Sequence, residues 1–160
     1  MGLDMYLRKN VTVRRWKCGK SGMIDAQSAD VTVRMVYPDG SVDTTDFGIM
    51  NPELDIQISL PVAYWRKANA IHRWFVEQAG DGEDNCEPIC VLGKKLIELR
   101  DLCQEVLDDH DKAEELLPTQ KGFFFGSTEY DQWYFDDLKH TVDCLKDVDP
   151  DGIYEYRASW

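Results

Sequence analysis

The chain has 160 residues, 43% of them hydrophobic and 30% charged, and carries a formal net charge of −12. Those proportions belong to a folded water-soluble protein of one domain and exclude collagenous and disordered classes. The acidic balance opposes direct binding to a nucleic-acid backbone, and no apolar run approaches the roughly 20 residues of a membrane span.

In chain order, Leu3, Met5 and Leu7 alternate with Asp4, Tyr6 and Arg8, the period of a half-buried strand. Residues 1–35 hold seven basic and three acidic side chains, whereas residues 36–160 hold eleven and twenty-seven. Residues 17–30 lack periodicity and read as a loop. Lys17 to Ser21 lacks the upstream glycine of a phosphate-binding Walker loop. Two β-branched and aromatic runs flank Pro38-Asp39-Gly40 and predict a hairpin over 31–47.

Pro61 predicts the start of a helix over 62–79 closed by Gly80, with Tyr64, Ala68, Ile71 and Phe75 as its core stripe. A second helix is expected over 91–109, burying Leu92, Leu96, Leu99, Cys103 and Val106. Residues 118–128 make an aromatic turn in which alternation would bury Phe123 and Phe125 and turn Phe124 elsewhere. Thr128 and Asp131 resemble a capping box for a third helix over 129–146, and residues 153–159 alternate as a closing strand. The expectation is a single α+β domain over 1–160. Its mostly antiparallel sheet includes both terminal strands, with three helices packed on one face.

Met1 to Leu7 (MGLDMYL), Val62 to Val76 (VAYWRKANAIHRWFV) and Leu116 to Leu138 (LLPTQKGFFFGSTEYDQWYFDDL) together resemble a family of small proteins encoded by bacteriophages and prophages. The resemblance covers about 45 of the 160 residues, does not reach residues 8–50, and carries no catalytic residues. It implies a phage-encoded accessory protein working inside a bacterial cell. A cytoplasmic location also agrees with an N-terminus that reads as no signal peptide.

Off the core stripe, Arg66, Asn69 and Arg73 share a helical face, and His72 stands beside them. Two guanidiniums and an amide fit a carboxylate or phosphate, and Tyr130 and Trp133 would stack on a flat ring if the third helix packs on the first. The competing arrangement pairs Arg66 and Arg73 internally with Glu129, Asp131 or Asp136. Cys86, Cys90, His140 and Cys144 have zinc-ligand chemistry, but C-x₃-C is a weak signal and 49 residues separate the two half-sites; no metal and no cofactor are expected. Neither a nucleophile motif nor an H-E-x-x-H pattern occurs, so the chain is read as leaning away from catalysis. Carboxylate pairs such as Asp108/Asp109, Glu114/Glu115 and Asp136/Asp137 read as solvated helix faces.

Two functions follow as expectations. In the first, the protein binds a host protein without catalysis, as a defence-system antagonist or a DNA mimic. Residues 77–155, with twenty-two acidic and seven basic side chains, would then meet a basic groove through Asp108, Asp109, Glu114 and Glu115. In the second, the Arg66 face forms a pocket for a nucleotide or small anion, with or without turnover.

Overall fold

A computed structural model describes residues 2–13, 30–36, 39, 41–49 and 56–160. They divide into two compact units, one of Met1–Val11 with Ser59–Trp160 and one of Thr12–Ile58. The smaller unit holds the expected hairpin: β2 (Asp30–Val36) pairs antiparallel with β3 (Val42–Ile49). Between them the Asp39 carboxylate accepts hydrogen bonds from the Ser41 amide at 2.9 Å and its hydroxyl at 2.6 Å. That local closure suits a short polar side chain in a turn. Of the loop expected over 17–30, residues 17–29 lie outside the described residues and Asp30 already belongs to β2.

The larger unit is built on a four-stranded antiparallel sheet in the order β4-β1-β6-β5. Its strands are β1 (Asp4–Val13), β4 (Ile56–Arg66), β5 (Ile89–Leu92) and β6 (Ile153–Ser159). The two terminal strands are neighbours, in antiparallel register from Asp4 opposite Ser159 to Lys9 opposite Tyr154. Alternation along them separates a buried face, with Leu3, Met5, Leu7, Tyr154, Tyr156 and Ala158, from a more open one carrying Tyr6, Arg8 and Arg157. Helices close over the buried face: α1 (Asn69–Trp74), α2 (Gly93–Asp108), the single turn α3 (Ala113–Leu116) and α4 (Gln132–Leu145). The fold is therefore α+β, with four helical segments where three were expected.

The helix expected over 62–79 is corrected most. Residues 62–66 belong to strand β4, helix begins only at Asn69, and Phe75–Ala79 widen into a π-helical turn. Tyr64, assigned to the core, is exposed, while Trp65 beside it is buried. Pro61 is compatible with β4 because β4 lies at the sheet edge, where a missing N–H is tolerated. The next helix also starts late. Val91 and Leu92 pair with Tyr154 and Ile153 in the sheet, which leaves Leu92 exposed. Helix α2 begins where the chain 149–152 folds over its end: Gly93 and Lys94 amides donate to the Gly152 and Pro150 carbonyls at 2.9 and 3.1 Å. A Cβ at Gly93 would meet the Asp149 carbonyl oxygen at 1.9 Å, so this approach requires glycine. The expected Leu96, Leu99, Cys103 and Val106 stripe is buried.

Helix α4 starts at Gln132, with Asp131 rather than Thr128 as its cap; the Asp131 carboxylate accepts from the Tyr134 amide at 3.1 Å. In the aromatic turn, Phe125 is buried as expected, but Phe123 is 95% exposed and Phe124 half-buried. Strand alternation fails there because the Phe125 amide folds back onto the Gly122 carbonyl at 3.2 Å. No helix among the described residues is long and apolar enough to cross a membrane.

Candidate functional site

Strand β4 does not run straight into α1. Lys67 takes a left-handed conformation, φ 64°, and its amide donates to the Leu3 carbonyl at 2.8 Å. Ala68, at φ −74° and ψ 70°, then makes an inverse γ-turn closed by the Asn69 amide on the Lys67 carbonyl at 2.9 Å. A left-handed lysine is strained by about 1–3 kcal/mol and persists only where its surroundings enforce it. Gly126, also left-handed at φ 87°, supplies the opposing wall, since a Cβ there would touch the Lys67 Cβ at 3.2 Å.

Asn69 fastens that wall. Its side-chain amide donates to the carbonyls of Phe125 at 3.1 Å and Ser127 at 2.7 Å, and its oxygen accepts from the Gln120 amide at 3.0 Å. With its side-chain nitrogen and oxygen both engaged, buried Asn69 works as a rivet rather than as the ligand contact expected of it. Opposite stands α4, tied to β4 through Trp65: its indole donates to Thr141 Oγ1 at 2.9 Å, and that hydroxyl donates to the Asp137 carbonyl at 2.7 Å.

Between these parts lies a cleft of about 280 Å³. Arg66 and Lys67 line one side of it, Thr119 and Ser127 from the turn another, and Glu129, Asp131, Trp133 and Asp137 the α4 side. Trp133 is 79% exposed. Among the described residues, neither Arg66 nor Lys67 forms an ion pair with those three carboxylates; Arg66 only approaches Asp4, at 4.0 Å. Glu129 and Asp131 suit the start of a helix, where the backbone dipole favours negative charge. Asp137 lies well inside α4 and lacks that support. Burial pushes its carboxyl up to about 6; His140 opposes the rise, and Asp136 and Asp131 add to it. It is thus no solvated surface residue, as its pairing with Asp136 had led us to expect. Lys67 and Asp137 are the residues that sequence reasoning missed.

The other expected ligand residues go elsewhere. Arg73 pairs with Glu77 on its own helix at 2.8 Å, so internal pairing occurs, but with a partner not foreseen. Tyr130 packs edge-to-face on Tyr134. His72 is buried, with Nδ1 2.7 Å from the Tyr156 hydroxyl and Nε2 3.0 Å from Asp84. Burial, reinforced by the Asp84 charge, holds the Tyr156 phenol well above its ordinary range. This Asp84-His72-Tyr156 chain is closed in among Phe125 and Trp160 and stabilises the core.

Cys86, Cys90, His140 and Cys144 do not come together as a zinc site: no group of three or more potential ligands gathers among the described residues. His140 Nε2 is engaged with the Tyr64 carbonyl at 3.0 Å, and burial raises the Cys144 thiol, disfavouring the thiolate that zinc requires. Asp108, Asp109, Glu114 and Glu115 are all exposed around the end of α2 and in α3. Against protein-family models, curated proteins and solved structures, the chain finds no significant match.

Proposed function

We propose that the protein is a binding protein whose recognition site is the cleft between the β4–α1 junction and α4. The observation that carries this reading is the convergence of Arg66, Lys67, Trp133 and Asp137 on one concavity. A cleft with a few converging polar groups and one carboxyl held away from its ordinary titration is the kind of place where ligands bind. Strain at Lys67 and a half-buried Asp137 are local costs that folding alone does not call for, and such costs gather at functional sites. The volume sits at the small end of ligand pockets and suits a metabolite-sized ligand or the tip of a larger one.

Thermal-shift and calorimetric titration against nucleotides, inorganic phosphate, small carboxylates and amino acids tests the proposal, with Arg66→Gln and Trp133→Ala as site variants and Arg73→Ala as the outside control. Ligand-dependent stabilisation lost in the first two and kept in the third supports it. A flat panel with wild-type protein overturns it.

Capture of a host protein is the second reading, in keeping with the accessory role implied by the phage resemblance. Two observations favour it: Asp108, Asp109, Glu114 and Glu115 are exposed together, and Phe123 and Trp133 present aromatic surface of the kind that anchors interfaces. Reversing those four carboxylates to lysine should abolish capture of a basic partner without unfolding the chain. Capture that survives the reversal rules this face out.

A further inference from the structure

The cleft carries both signs of charge without letting them meet. Arg66 and Lys67 stand at the β4–α1 junction, and Glu129, Asp131 and Asp137 stand at α4, yet no ion pair joins the two sets among the described residues. Oppositely charged side chains within reach close on one another readily, since even exposed pairs attract. Here they are held apart. Gly126 lies beside the stem of Lys67, and Asp137 is fixed in the middle of a helix whose Thr141 hydroxyl is bonded to the Asp137 carbonyl. A simple anion would satisfy the cations and leave Asp137 partly buried beside a second negative charge. A simple cation would leave Lys67 unanswered and Arg66 with only its 4.0 Å approach to Asp4.

We propose, resting on the cleft as the recognition site, that its ligand is a small zwitterion: an ammonium joined through a short chain to a carboxylate or phosphate. The ammonium lies between Asp137 and the face of Trp133, and the anionic end lies at Lys67 and Arg66. Trp133 suits the cationic end because an indole face attracts ammonium groups through its quadrupole. Ser127 and Thr119 line the path between the two ends and offer hydroxyls to either. The volume of about 280 Å³ favours a short linker if both ends are to sit inside the cleft.

The test is calorimetric titration at low salt with the unbranched ω-amino acids from glycine to 6-aminohexanoate and with phosphoethanolamine. Each is compared with its two halves, the alkylamine and the carboxylate or phosphate of the same chain length; inorganic phosphate and nucleotides are included. One member of the series should bind at least about tenfold tighter than either half, the factor that 1.4 kcal/mol represents. Asp137→Asn should erase its advantage over the anionic half alone. Arg66→Gln with Lys67→Gln should erase its advantage over the cationic half alone. If the anionic halves bind as tightly as the zwitterions, the cleft is an anion site: this inference falls and the proposed function stands. If no probe binds, phosphate and nucleotides included, both fall. Should a variant unfold, the wild-type comparison of each zwitterion with its halves decides by itself.

Discussion

Asp137 occupies a position between the buried Tyr134 and Leu138 where a helix facing a packed layer ordinarily carries a neutral side chain. Its carboxyl, pushed up to about 6 by burial, holds a proton in the folded chain over a range where the unfolded chain has already lost it. Stability contributed by this group therefore falls as pH rises from about 4 to 6 and stays low above that. Asp137→Asn should accordingly stabilise the protein at neutral pH by roughly 1–2 kcal/mol, after discounting for partial exposure, and the gain should vanish near pH 4. Urea unfolding of both proteins at the two pH values checks the sign. Asn69 behaves oppositely. Asn69→Ala leaves the Phe125 and Ser127 carbonyls and the Gln120 amide without their partner, and should cost about 2–4 kcal/mol. Hydrogen exchange should then rise first in residues 118–128.

The segment from Pro61 to Gly80 shows how far an element can be read locally. Tyr64, Ala68, Ile71 and Phe75 have helical spacing, and Pro suits a first helical turn as well as it suits an edge strand. What makes residues 56–66 a strand is pairing with β1, about fifty residues earlier in the chain, and no local spacing reports that. The terminal strands were legible because their alternation is strict and each faces one buried layer. The candidate site was legible in part. Arg66, Asn69 and Trp133 were expected together and do line one cleft, although Asn69 serves the framework. Lys67 was missed because a left-handed lysine leaves no mark in sequence, and Asp137 because pairing with Asp136 disguised it. One signal was available: Asp137 follows Trp133 at i, i+4, which places both on one face of α4. At the turn, Gly126→Ala must force a side chain into φ 87° and against Lys67. It should lower stability by about 1–2 kcal/mol, readable as a lower Tm.

Over the whole molecule, a net charge of −12 makes the folded state repel itself. The described ion pairs on exposed side chains, such as Lys95–Glu98 at 2.6 Å and Lys112–Glu105 at 2.6 Å, contribute little each and do not cancel that excess. Salt shortens the reach of the repulsion to about 3 Å at 1 M. Raising NaCl from about 10 mM to 0.5 M should therefore raise the Tm, even as it weakens any partner held by Asp108, Asp109, Glu114 and Glu115. Opposite responses of folding and of capture to one titration would separate self-repulsion from recognition. A Tm that falls with salt would mean the surface pairs outweigh the repulsion.

The contact between His140 and the Tyr64 carbonyl bears on how the protein survives at high concentration. Strand β4 is an outer strand of its sheet and presents Leu60 and Tyr64 to solvent, the kind of border on which a second chain can polymerise strand by strand. An imidazole reaching across from α4 engages one backbone carbonyl of this strand, His140 Nε2 to Tyr64 at 3.0 Å, and Pro61 lacks a donor within the same strand. Helix α4 thus touches the backbone of the edge strand as well as walling the cleft, and we propose that this contact slows strand-by-strand association. His140→Ala should shorten the lag before light scattering rises on incubation below the Tm, with little change in the Tm itself. An unchanged lag would mean that β4 is guarded by something other than this side chain.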